Sequence, residues 1–116
     1  MSYDFWLSAH CSCCDGTKYH FDKNYTSNTS PMFCKVFKEG IRILNGQNAS
    51  EGGDTLFTFY KYFSNNKEEL EKLNPSNGWG DYESTLQLII DMHFASIMAP
   101  NDAVWVVYSW KILVNY

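Results

Sequence analysis

The chain has 116 residues, 45% hydrophobic and 17% aromatic, enough to bury one core and too few for a second. Nine Lys and Arg against thirteen Asp and Glu leave a formal charge of −4, and Arg42 is the sole arginine. Direct nucleic-acid binding is disfavoured, because phosphate neutralisation needs a clustered basic surface and base reading favours Arg forks.

A charged fraction of 19% without low-complexity tracts argues against disorder, so residues 1–116 read as a single domain. The N-terminus, Met1-Ser2-Tyr3-Asp4-Phe5-Trp6, shows no basic segment followed by an apolar run. No stretch approaches the roughly 18 apolar residues of a membrane span. A cytoplasmic location without membrane association is therefore expected. Reduced cysteines follow from it, and the Asn-x-Ser/Thr triplets at Asn24, Asn28 and Asn48 become chance matches.

Tyr3, Phe5, Leu7 and Ala9 alternate with Asp4, Trp6 and Ser8, the pattern of a strand with its odd positions in the core. Beyond a Cys-rich stretch, Asp15-Gly16 signals a turn of two or more residues. Thr17, Tyr19 and Phe21 then predict the return strand of a hairpin. Ser30-Pro31 and Gly40 bracket a short helix from Pro31 to Glu39. Ile41 to Leu44 reads as a brief extended piece and Gly46 to Gly53 as an exposed, mobile loop.

Leu56, Phe59, Tyr60 and Phe63 define one face of a helix over Asp54 to Ser64, capped by Asp54. Asn66 and Glu69 have capping-box spacing for a helix ending at Leu73, before Pro75. Asp81 to Met98 forms the central helix, its core stripe running through Leu86, Ile89, Ile90, His93, Phe94 and Ile97. From Ala103 onward, Val104, Val106, Tyr108, Trp110, Ile112 and Val114 share one parity, expected to face the helices. Trp6, Trp105 and Leu113 are left on the other side.

The fold class is therefore α+β. A small antiparallel sheet, made by the N-terminal hairpin and a long C-terminal strand, packs on three to four helices. Its outer aromatic face would need a protein partner or a second copy of the chain, making a homo-oligomer.

His10, Cys11, Cys13, Cys14 and His20 form the densest group of metal-ligating side chains, with zinc as the ion they would suit. The Cys11-x-Cys13-Cys14 spacing is nevertheless cramped beside ordinary zinc knuckles, and reduced thiols packed in a turn explain it more simply. A Cys-His catalytic pair can be drawn from the same residues. No nucleophile elbow, P-loop, dinucleotide fingerprint or metalloprotease helix supports it, so no catalytic residue and no cofactor is assigned. His93, among apolar neighbours, reads as a core or boundary residue, and Asp81 and Glu83 as helix-capping charges.

Two polar segments, Asn24 to Met32 and Asn74 to Tyr82, lead into helix N-termini, where free amides attract anions and carbonyls. Turn capping accounts for most of their Asn and Gly. If they meet, Asn24, Tyr25, Thr26, Asn28, Met32, Asn77, Trp79, Asp81 and Tyr82 would line a ligand or partner site, with Tyr25 and Trp79 as stacking surfaces.

Tyr3-Asp4-Phe5-Trp6-Leu7, Asn24-Tyr25-Thr26-Ser27-Asn28 with Ser30-Pro31-Met32, and Asn74-Pro75-Ser76-Asn77-Gly78-Trp79-Gly80-Asp81-Tyr82-Glu83 together resemble a family of small uncharacterised phage and bacterial proteins. The likeness covers most of the chain in order. The Cys-rich turn departs from that family, whose members are more often Gly- or acid-rich there. The resemblance implies origin more than mechanism, since the family has no assigned activity.

The leading expectation is a non-catalytic binding protein, a phage-encoded accessory or inhibitory factor engaging a host or phage protein inside a bacterial host. The alternative is a binder of small polar, nucleotide-like ligands. A Cys/His-dependent enzyme comes third.

Overall fold

Strict alternation at the N-terminus produces the strand around which the rest of the protein is built. The computed structural model describes residues 2–109, in which β1 (Ser2–Cys11) lies between β2 (Gly16–Thr26) and β3 (Val104–Ser109) in an antiparallel sheet of order β2-β1-β3. The helices α1 (Ser30–Phe33), α2 (Ala49–Asn65), α3 (Lys67–Glu71) and α4 (Tyr82–Met98) complete an α+β fold. The chain's two end regions thus share one sheet, as expected. Trp110, Ile112, Leu113 and Val114 lie outside the described residues.

Tyr3, Phe5, Leu7 and Ala9 of β1 are buried. Opposed residues of an antiparallel pair share a face, so this choice carries across the sheet. β1 pairs Tyr3 with Ser109, Phe5 with Val107 and Leu7 with Trp105, which sends Trp105, Val107 and Ser109 inward. The expected parity of β3 is therefore reversed. Val104, Val106 and Tyr108 face outward beside the even residues of β1, whereas Trp105 is fully buried. Trp105 wins because it buries more apolar area than a valine and its indole N–H finds an acceptor, Ser96 Oγ, at 3.1 Å.

In β2 the register shifts at Leu7/Ser8, leaving His20 as the extra residue between Phe21 and Tyr19. The shift divides the predicted Thr17-Tyr19-Phe21 face. Phe21 packs on Trp105 at 5.6 Å between ring centroids, while Tyr19 is exposed. The outer edge of β3 is covered by the segment before α2. Gly46 N–H donates to Trp105 O at 2.8 Å, Trp105 N–H to Gln47 O at 2.9 Å, and Val107 N–H to Asn45 Oδ1 at 2.9 Å.

The middle of the chain departs from expectation at several element ends. α2 begins at Ala49, inside the predicted loop, because Asn48 and Glu51 form the capping box expected at Asn66. Asn48 Oδ1 accepts from Glu51 N–H at 2.8 Å, and Asn48 N–H donates to Glu51 Oε1 at 3.1 Å. Asn66 instead donates its side-chain amide to Tyr62 O at 2.9 Å. The helix at Pro31 ends at Phe33, the chain continuing in turns whose amides reach back three or four residues. Ile41 to Leu44 lies in a 3-10 turn rather than an extended piece.

α4 spans the expected residues, with Asp81 Oδ1 accepting from Ser84 N–H at 2.9 Å, but its buried stripe differs. Tyr82, Thr85, Leu88, Ile89, Met92 and Ser96 face the core, and of the predicted set only Ile89 is among the buried residues. Two hydroxyl residues disguise that stripe, each satisfied by a carbonyl. Thr85 Oγ1 donates to Gly80 O at 3.3 Å and Ser96 Oγ to Ala49 O at 2.6 Å. None of the described helices is long and apolar enough to cross a membrane.

Candidate functional site

The two Asn-rich segments do meet. Thr26 to Thr29 forms a tight turn, in which Asn28 N–H donates to Thr26 Oγ1 at 3.2 Å and Thr29 Oγ1 to Thr26 O at 3.0 Å. The Asn28 side-chain amide then donates to Trp79 O at 3.1 Å and approaches Asn77 Oδ1 at 3.5 Å. Asn77 Oδ1 also accepts from Trp79 N–H at 3.0 Å. Gly80 makes the approach possible: its φ is +82°, and a Cβ there would lie 2.7 Å from Thr26 Cγ2.

The resulting cleft, of about 450 Å³, is lined by Ser2, Asn24, Tyr25, Thr26, Trp79 and Gly80. Trp79 stands at its rim with 71% of its surface exposed. Tyr25 forms a wall, its hydroxyl bonded to the Ser84 side chain and its pKa pushed up by burial. Asn24 is held to β1, its amide donating to Asp4 Oδ1 at 2.8 Å, Ser2 Oγ at 3.1 Å and Tyr3 O at 3.2 Å.

The other members of the predicted set lie away from the lining. Asn28 and Asn77 brace the cleft, and Asp81 caps α4 with its pKa lowered by the Ser84 amide and hydroxyl. Met32 is fully buried, and Tyr82 is buried with its hydroxyl donating to Phe63 O at 2.7 Å. Both are core residues. The helix amides that suggested anion binding are taken by Asp81 and Asn74, whose Oδ1 accepts from Tyr82 N–H at 2.8 Å.

At the hairpin tip, His10 Nε2 and Asp15 Oδ1 are 3.3 Å apart, and Asp15 adopts a left-handed φ of 55°. His20 sits back along β2 at the register shift. Among the described residues, no three His, Cys, Asp or Glu side chains are arranged to hold a metal ion.

A third site comes from the side of α4 that sequence reading assigned to the core. Ile90, Phe94 and Ile97, at i, i+4 and i+7, form an apolar stripe turned to solvent, with Phe94 65% and Ile97 62% exposed. Phe57 of α2 lies beside it, stacked on His93 at 5.7 Å and on Tyr60 at 6.3 Å, with Lys61 Nζ 5.0 Å from its ring.

Between these helices runs a second groove of about 450 Å³. Ala49, Gly53 and Ser96 form its small-residue floor, Phe57 and Ile97 are apolar walls, and Asp54 is an acidic rim. The available sign was that α4 is apolar on more sides than one sheet can cover. Comparison of the chain with protein-family models, curated proteins and solved structures finds no match.

Proposed function

We propose that this chain is a non-catalytic binding protein that engages another protein through the groove between α2 and α4. The observation that carries this reading is a groove with a floor of small residues and walls of exposed Phe57 and Ile97, flanked on α4 by the exposed Ile90 and Phe94. Burying one such side chain contributes about 1.5–3 kcal/mol, so a few anchors support specific binding. Asp54 on the rim favours a partner segment with an apolar side chain next to Lys or Arg.

The likeness of its Asn-rich segments to small phage and bacterial proteins supports a phage-encoded accessory or inhibitory role in a bacterial cytoplasm.

The test uses the immobilised full chain, a Phe94→Asp/Ile97→Asp variant and Trp79→Ala, each challenged with bacterial extract. A saturable partner held by the wild type and by Trp79→Ala, but lost from the double variant, supports the proposal. Binding that survives the double substitution, or the absence of any saturable partner, overturns it. Wild-type self-association that the same substitutions abolish would instead make the partner a second copy of the chain.

The Trp79 cleft favours a second reading, a small flat polar ligand such as a nucleotide stacked against Trp79 beside Tyr25. Thermal stabilisation by nucleotides that disappears in Trp79→Ala would support it, and an unchanged response would refute it.

A further inference from the structure

The Trp79 cleft has two walls of different chemistry. β1 and β2 pair Ser2 with Thr26 and Asp4 with Asn24, so Ser2, Asn24 and Thr26 rise from one face of the sheet as an uncharged polar wall. Tyr25, between Asn24 and Thr26 in the strand, points to the other face and joins Trp79 as an aromatic wall. Because both faces of β2 contribute, the cleft straddles the end of that strand.

Among the described residues the lining holds no Asp, Glu, Lys or Arg. Close by stand two carboxylates and one ammonium. Asp4 Oδ1 accepts from the Asn24 amide at 2.8 Å, Asp81 follows Gly80 in the chain, and Lys23 Nζ lies 5.9 Å from the Tyr25 ring centroid. A phosphate binds where cations or unpaired amides converge, and the amides at the start of α4 are already taken by Asp81 and Asn74.

Both walls are fixed in advance. The Trp79 main chain is pinned on two sides, its N–H donating to Asn77 Oδ1 at 3.0 Å and its carbonyl accepting from the Asn28 amide at 3.1 Å, so the exposed indole stands on an ordered backbone. Asn24 is oriented by the three bonds its amide nitrogen donates, at 2.8 to 3.2 Å. Its Oδ1 is left to accept from a ligand.

We propose that the cleft binds the uncharged nucleoside half of a nucleotide, with the base stacked on Trp79, the ribose hydroxyls bonded to Asn24, Ser2 and Thr26, and the phosphates left in solvent. This rests on the small-ligand reading of the cleft, and narrows it to recognition that ignores phosphate. Every base offers a flat face to an indole. Ribose supplies the donors that Asn24 Oδ1 needs and acceptors for the Ser2 and Thr26 hydroxyl groups.

The experiment titrates the full chain by calorimetry with adenosine, guanosine, cytidine and uridine and with their 5′-mono- and triphosphates, at low and at high salt. At least one nucleoside should saturate the protein, its phosphorylated forms binding within about threefold of it and without loss at high salt. Trp79→Ala, at an exposed position, should keep the wild-type unfolding curve and bind about five- to 150-fold more weakly, the worth of one stacked base. Lys23→Ala should bind the nucleoside and its monophosphate as the wild type does. Affinity that climbs from nucleoside to triphosphate, falls with salt and drops in Lys23→Ala would overturn the phosphate-free assignment while leaving the cleft a small-ligand site. Failure of every nucleoside and nucleotide to bind, or binding that Trp79→Ala leaves unchanged, would overturn both.

Discussion

Two adjacent glycines in the first turns of α2 make opposite predictions. By helix propensity alone, replacing either by alanine should stabilise the protein by about 1 kcal/mol. Gly52, however, is where α2 meets β3: a Cβ there would lie 2.6 Å from Trp105 Nε1 and 3.2 Å from Leu44 Cδ1. The indole has no room to retreat, being fully buried, bonded to Ser96 and packed on Phe21.

Overpacking a rigid site costs about 1–3 kcal/mol, more than the propensity gain at most of that range. Gly52→Ala is therefore expected to destabilise by up to about 2 kcal/mol net. Gly53→Ala places its Cβ 3.8 Å from Ser96 Oγ, an ordinary contact, and should stabilise by about 0.5–1 kcal/mol. Urea unfolding of the two variants and the wild type measures both. A Gly52→Ala protein as stable as Gly53→Ala would refute the proposed Trp105 seat. Gly53 also floors the groove, so Gly53→Ala should bind the partner less well although it is more stable, separating function from folding.

Gly80→Ala forces a side chain into a left-handed φ and against Thr26, and should cost at least about 1–3 kcal/mol by urea unfolding. Phe94→Asp, on an exposed apolar position, should change stability by no more than about 0.5 kcal/mol while abolishing partner binding. Asp81 has a folded-state pKa below its ordinary 3.8, so its contribution is present above that value and lost as pH falls through the lower folded value. In Asp81→Ala the thermal midpoint should drop at neutral pH, and the part of the acid destabilisation arising below about pH 4 should disappear. Tyr82→Phe removes the bond to Phe63 O and should destabilise by about 0.5–1.5 kcal/mol, read by thermal or urea unfolding.

Local signals carried much of the architecture. The β1 alternation, the Asp15-Gly16 turn and the Asp81 to Met98 helix appear where the residues put them. The Asn-rich segments stood out in the sequence, but their meeting was left open there and is made in the fold by Asn28. The α2 start was misplaced because two glycines look like a loop until Trp105 occupies the space left by Gly52. Asn48 and Glu51 have the same spacing as Asn66 and Glu69, yet only the first pair closes a capping box. The protein-binding groove was hidden because its walls were assigned to the core.

By itself the sequence determined the α+β class, the pairing of the two end regions in one sheet and the extent of α4 with Asp81 at its start, all of which rest on contacts between near neighbours or on simple periodicity. Tertiary structure alone decided which side of β3 and of α4 is buried. Both elements carry apolar residues on more than one face, and periodicity cannot rank two apolar faces. The choice fell to partners far along the chain: β1 sets the parity of β3, and Ala49 accepts the hydroxyl group that lets Ser96 enter the core. The apolar stripe left outside is consequently a product of the whole fold, and it is the surface on which the proposed function rests.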